Sequence, residues 1–444
     1  MQAARKLSSI GLDNMEVKII SRETIKPSSP TPHHLRIHKL SLLDQIEITE
    51  SIYIPVILFY SVASGDPRKR SNILKESLSK TLTQFYPFAG RVKDSFSIDC
   101  NDEGVSYTEA QVATNVSVVL QDPEIDLLLQ LLPNDSLERL PEPTAEQVLV
   151  AIQVNFFACG GMAICACVDH VVADGAATAT FIKSWAAIAC GANYIDHDVI
   201  YDCTSVFPPH DLTSFKEKFA NEDKHEVPEP QGKIVTKRLL FDGSKITALR
   251  NEIGNGPSSY RPSRFEAVSA LIWSAMLSTT TKNDRTFSTT TISMNLRNRT
   301  NPPMPQQCIG NVYQVKEVES LMEKTINLSI LAGKIHETIR KVDDDHVKKL
   351  GAGVGAYINL LRSKVKNNKF LFVSWCRFPF YETDFGWGKP IWFATALRIN
   401  RVVFFLDTRD GEGIEAWITL TLEEMAKFEQ DPGVLAYSFS KLSK

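Results

Sequence analysis

The chain has 444 residues, 43% hydrophobic and 23% charged, with 49 Lys plus Arg against 52 Asp plus Glu and a formal net charge of -3. That length allows two domains with cores of their own, and a near-neutral balance without a basic block argues against a nucleic-acid partner. No apolar run approaches the ~20 residues of a membrane helix, and eight scattered cysteines without a C-x-x-C pair argue for buried thiols in a reducing compartment, not a zinc site or a disulfide framework.

The first fourteen residues contain Arg5, Lys6, Ser8 and Ser9 but no apolar core of signal-peptide length, and they read as a loose tail or an upstream start preceding Met15. A targeting role for residues 1–14 stays open, and the cytosol is the expected location. Residues 17–24 read as a strand, and Pro27, Pro30 and Pro32 force an extended segment after it. Apolar runs follow at 40–44 and 54–60. Helical spacing through Ile73, Leu74, Leu78 and Leu82 predicts a helix over 73–85 that Pro87 ends. A short strand is expected near 96–98, and Asn101 to Gly104 has turn composition.

Residues 149–157 and 162–168 are apolar runs separated by Cys159-Gly160-Gly161, which predicts a hairpin. Gly175 is expected to let the backbone turn, and Phe181, Ile182, Trp185 and Ile188 mark one face of a helix over 176–188. Residues 206–231 are polar, with Pro208, Pro209, Pro228 and Pro230, so the boundary is placed there. The domains are expected at 1–205 and 233–444, with 206–232 as the crossover.

The second half is expected to hold strands at 234–241, 287–294, 370–375, 391–397, 402–406 and 414–420. Helices are expected at 244–253 and 263–277, over most of 321–361, and after the cap formed by Thr421 and Glu424. Ser263-Arg264-Phe265-Glu266 reads as a capping box at a helix start, and Arg264 there offers a positive site for a phosphate; a plain cap is the competing reading.

His170 ends an apolar strand beside a glycine turn, where packed elements can hold an imidazole at a cleft, a suitable place for a catalytic base. Asp174 lies four residues on. H-x-x-x-D alone is a weak motif, and a structural histidine is the plain alternative. Asp384-Phe385-Gly386-Trp387-Gly388 is far more specific. A protein kinase reading of its D-F-G fails, because no glycine-rich phosphate loop, V-A-I-K lysine or H-R-D loop precedes it.

Together the two motifs resemble the BAHD family of plant acyl-CoA-dependent acyltransferases. Pro30-Thr31-Pro32, Leu40-Ser41-Leu42-Leu43-Asp44, Phe85-Tyr86-Pro87-Phe88-Ala89-Gly90-Arg91, Asn295-Leu296-Arg297 and Gly310-Asn311 are similar to its other landmarks. Ser374-Trp375-Cys376-Arg377-Phe378, before Asp384, is most similar to the branch that acetylates alkaloid hydroxyls. The resemblance implies a two-domain α/β fold like chloramphenicol acetyltransferase, mixed sheets flanked by helices, with a channel between the domains.

It also implies a monomer that moves an acyl group, acetyl above all, from acyl-CoA to a hydroxyl of a plant specialised metabolite, an alkaloid-type or related alcohol, in a ternary complex, with no permanently bound cofactor and no metal. His170 would be the general base. Asp174 and Gly175 would shape its loop, and Asp384, Gly386, Trp387 and Gly388 would be structural, with Arg297 as the partner of Asp384. Trp375 would help hold an oxyanion, in a chain whose Val373 stands where relatives commonly carry threonine. Asp169, where relatives often have a small polar residue, is expected to face away from His170. The competing functions are transfer of a branched or aromatic acyl group to a sugar, naphthoquinone or phenol, and non-catalytic binding of acyl-CoA or a metabolite.

Overall fold

The computed structural model describes residues 15–48, 52–61, 66–121, 123–133, 146–192, 202–212, 232–256, 260–279, 287–321, 327–352 and 369–439. Its strands are β1 (Val17–Ile25), β2 (Ile37–Lys39), β3 (Tyr53–Tyr60), β4 (Arg91–Asp94), β5 (Ser97–Asp99), β6 (Val105–Val112), β7 (Val150–Phe157) and β8 (Met162–Asp169) in the first half. The second half has β9 (Ile234–Phe241), β10 (Phe287–Asn295), β11 (Tyr313–Leu321), β12 (Phe370–Ser374), β13 (Trp392–Ala394), β14 (Val402–Asp407) and β15 (Ile414–Thr421). Among the described residues the α-helices of the first half are α1 (Leu42–Glu47), α2 (Pro67–Gln84), α3 (Val116–Gln121), α4 (Ile125–Leu129) and α5 (Gly175–Ala189).

Two six-stranded mixed sheets carry the fold, in the orders β1-β6-β7-β8-β3-β13 and β11-β10-β12-β14-β15-β9; β2, β5 and β4 form a third, small sheet. In the first sheet β3 and β8 are adjacent, and every residue of both is buried. Strands covered on both faces need continuous apolar runs, not alternation, which is why 54–60 and 162–168 stand out in the sequence. The β7–β8 hairpin pairs from Val150–Val168 to Phe156–Met162, and Gly160 takes φ 83° in its turn. Helix α5 packs on α2, where the Trp185 indole N–H donates to the Leu74 carbonyl at 3.1 Å and to Ser77 Oγ at 3.0 Å.

The two halves of the chain are interlocked. Strand β13, from the second half, pairs with β3 through Trp392–Phe59 and Ala394–Ile57 and so covers an apolar edge of the first sheet. The expected strand over 391–397 shrinks to those three residues. In exchange, α1 buries Leu42, Leu43 and Ile46 in the second core, together with Phe207 and Leu212 from the start of the crossover. Residues 213–231 of that crossover, the tail 1–14 and the end of the expected helical region, 353–368, lie outside the described residues.

Strands β6 and β11 and helices α3 and α4 have no counterpart in the sequence reading. In both strands the buried positions are interspersed with polar ones, and the charged residues hide the period of two. The helical expectation over 321–361 holds for Leu328–Arg340 and Asp344–Gly351.

Candidate active site

His170 follows directly on β8, and its side chain is 19% exposed. Its amide donates to the Ile52 carbonyl at 2.9 Å, which ties the junction to the residue before β3. Its Nδ1 lies 2.8 Å from Oδ1 of Asn311, a residue two positions before β11. The tautomer follows from counting donors. Asn311 Nδ2 donates to the His170 carbonyl at 2.6 Å and to Asp44 Oδ1 at 3.0 Å, so the amide oxygen is what faces the ring. In the neutral ring Nδ1 therefore carries the proton and Nε2 the lone pair.

Asn311 is positioned in turn by Asp44. Ser41 and Asp44 form a capping box that starts α1, and Asp44 Oδ1 also accepts from the Asn311 amide at 2.7 Å. Burial pushes the Asp44 carboxyl up to about 6, against the hydrogen bonds from Ser41 and Asn311, which pull it down. One turn further along α1, Glu47 places Oε2 3.8 Å from His170 Nδ1, while Oε1 accepts from the Tyr313 hydroxyl at 2.7 Å. The Tyr313 ring is tilted against the imidazole at 5.5 Å between centroids. Burial, then the Glu47 charge, push the Tyr313 phenol well above its ordinary range, so it stays protonated and donates.

Asp174 caps α5 by accepting from the Ala177 amide at 2.8 Å, and Oδ2 accepts from Val312 N at 3.0 Å. Its charge is met by Arg297, a side chain with no exposure, through contacts of 2.7 and 3.1 Å. This corrects the expectation that Arg297 pairs with Asp384. The 3₁₀ turn Arg297–Arg299 follows β10 and points the guanidinium at the α5 N-terminus, where it also donates to the carbonyls of Cys308 and Gly310. Asp384 instead closes its own loop: Oδ1 accepts from the amides of Gly386 at 2.8 Å and Gly388 at 2.9 Å. Both glycines have φ near +100°, which a side chain would resist.

The tryptophan of that loop stacks on Phe385 at 5.8 Å, and both rings meet Tyr60 of β3 edge-on. The D-F-G-W-G segment thus anchors the second half on the first sheet. Gly175 is the first residue of α5 and does not have positive φ, so the expected freedom to turn is not what it supplies. It supplies space: a Cβ there would stand 2.8 Å from Trp375 Nε1 and 3.2 Å from Phe378. Val373 of β12 packs against the first core and offers no hydroxyl.

Asp169 is buried on the strand, bound by Gln147 Nε2 at 2.7 Å and by the Val171 amide at 2.9 Å. Ser263 and Glu266 exchange amide contacts at the start of the helix Arg264–Thr279. The Arg264 guanidinium is taken up by Asp407 at 3.0 Å and by the carbonyls of Gly411 and Gly413, so this arginine is committed to the β14–β15 region. Among the described residues no group of three or more His, Cys, Asp or Glu could hold a metal ion. In the sequence Asn311 and Asp44 stand out only as family landmarks, and Glu47 and Tyr313 carry no signal of their own. The Ser41-x-x-Asp44 cap was visible, but nothing local shows that α1 turns its acidic residues toward residue 170.

The structure is similar to the crystal structure of vinorine synthase, with a TM-score of 0.81 and 33% identity, covering 97% of this chain and 100% of that one. The fold is that of a CoA-dependent acyltransferase. A family model described as the Transferase family matches residues 15–435. Epi-neemfruitin B synthase L1AT of Melia azedarach is 47% identical over 437 residues, 96% of this chain and 98% of that protein. The limonoid 1-O-acetyltransferase of Citrus sinensis is 42% identical over 446 residues, with the same two coverages. The chain belongs to this transferase family, the BAHD acyl-CoA-dependent O-acyltransferases.

Proposed function

We propose that the chain transfers acetyl from acetyl-CoA to a hydroxyl of a limonoid-type specialised metabolite, with His170 as general base. The observation that supports the mechanism is the Nδ1–Asn311 contact of 2.8 Å, which in the neutral ring puts the proton on Nδ1 and the lone pair on Nε2. Nε2 takes the acceptor's hydroxyl proton as the oxygen attacks the thioester carbon. The tetrahedral intermediate then expels the CoA thiolate, which leaves with the proton from Nε2, and the products are an ester and free CoA. A positioned base supplies about 10²–10⁴-fold, and holding both substrates together supplies much of the rest.

Trp375, beside Gly175, would donate its indole N–H to the oxyanion, which Val373 cannot do. His170 comes from the half before the crossover and Asn311 from the half after it. That supports reading 1–205 and 233–444 as two domains that hold the substrates between them. A monomer in the cytosol belongs to the same reading; no helix among the described residues is long and apolar enough to cross a membrane.

The acceptor class rests on relatives at 42% identity or above, with an alkaloid alcohol as the second reading from vinorine synthase at 33%. The test is a mass-spectrometric screen of acetyl, branched aliphatic and aromatic acyl-CoA donors against limonoid, alkaloid and phenolic alcohols. Acetylation of a limonoid hydroxyl that disappears in His170→Ala is the expected result. Activity that survives His170→Ala overturns the mechanism, and transfer confined to another acceptor class overturns the substrate.

A further inference from the structure

We propose that Glu47 is a positioning residue of the reaction: a fixed carboxylate on the Nδ1 side of His170 that stabilises the imidazolium formed when Nε2 takes the acceptor's proton. The proposal rests on the reading of His170 as the base. At 3.8 Å from Nδ1, Glu47 Oε2 is beyond hydrogen-bond range yet well within reach of an ionic interaction. Asn311 holds the Nδ1 proton at 2.8 Å, so orientation and charge come from two different residues.

The placement of the carboxylate is built, not incidental. The Glu47 side chain is 7% exposed, and the Tyr313 hydroxyl grips Oε1 at 2.7 Å. Tyr313 is fixed at the start of β11, two residues from Asn311, so one strand end positions both the hydrogen-bond acceptor and the clamp on the charge. In so little water a carboxylate at this distance acts far more strongly than on the surface.

The other acidic groups around His170 are engaged differently. Asp44 on α1 spends Oδ1 on two donors of Asn311. Asp169 on β8 is bound by Gln147 and the Val171 amide, and Tyr53 of β3 gives its hydroxyl to the Val148 carbonyl. Asp174 is neutralised by Arg297. Proton transfer creates one positive charge on the imidazole, and Glu47 is placed to meet it without taking the proton itself.

The test is Glu47→Gln, which keeps the shape and an oxygen for the Tyr313 hydroxyl but removes the charge. The expected result is a kcat about tenfold lower, KM for the acyl donor within about twofold, and an acid limb of the kcat–pH profile moved about one unit toward lower pH. Glu47→Asp, which keeps a charge at greater distance, should fall between the two. Circular dichroism and thermal melting establish that each variant is folded. An unmoved acid limb in a folded Glu47→Gln overturns the proposal, whether or not kcat falls, because a purely structural role changes yield and stability but not the pH profile. Should His170→Ala stay active, the base reading itself fails, a result seen before any Glu47 variant is made.

Discussion

Replacing Asp174 by Asn and Arg297 by Met, singly and together, separates a scaffold from a catalytic dyad. Arg297 has no exposed side-chain surface and Asp174 has 7%. Removing one partner of such a pair costs about 3–5 kcal/mol, because the remaining charge has neither its counterion nor water. Asn at 174 keeps an oxygen for the Ala177 amide, and Arg297 keeps the Cys308 and Gly310 carbonyls. That places Asp174→Asn at about 3 kcal/mol, the low end of the range. Arg297→Met leaves a buried carboxylate and strips two carbonyls of a donor, about 4 kcal/mol. Independent effects would sum to about 7 kcal/mol, but the double variant buries no unpaired charge and should lose only about 4, a coupling of about 3 kcal/mol. Urea denaturation read from the midpoint at constant slope measures each value. Simple additivity refutes the ion pair as the element that holds this junction. A folded double variant that loses more than about 100-fold in kcat refutes the assignment of Asp174 to the scaffold.

Three further outcomes follow from the same geometry. Gly175→Ala pushes a methyl against Trp375 Nε1, 2.8 Å away, and should cost about 1–3 kcal/mol in thermal melting, with Trp375→Phe relieving part of the loss. Asn311→Leu deprives Nδ1 of its acceptor at 2.8 Å; kcat should drop about 10- to 100-fold at saturating substrates, since the ring is then free to adopt the unproductive tautomer. His38, which burial pushes down to about 4 from 6.5, stays neutral in the folded state while the unfolded chain takes up a proton. Its contribution to stability is therefore lost as pH falls from about 6.5 through about 4, on the order of 3 kcal/mol in all, and denaturation of His38→Leu should show a flatter slope across that window.

What the sequence revealed and what it hid divide along a physical line. Apolar runs buried on both faces, such as 54–60 and 162–168, announce their strands because no polar residue interrupts them. In β11 Glu317 and Glu319 lie on one face and Lys316 on the other, among the buried Gln314, Val318 and Ser320, so the period of two is lost among those charges. The two motifs were legible for the same local reason: Asp384 binds amides two and four residues away, and Asp174 caps the helix it begins. Asp174 and Arg297 lie 123 positions apart, His170 and Asn311 lie 141 apart, and Asp44 and Asn311 lie 267 apart. No local pattern encodes those contacts, since they exist only once β10 and β11 have brought residues 295–313 against the end of β8. The pairing of Arg297 with Asp384 is therefore the kind of expectation most open to error, a long-range contact taken from the resemblance with no local pattern behind it. The burial of the guanidinium decides for Asp174: a cation without access to water needs a carboxylate equally enclosed, whereas the Asp384 carboxylate is satisfied within its own five-residue loop.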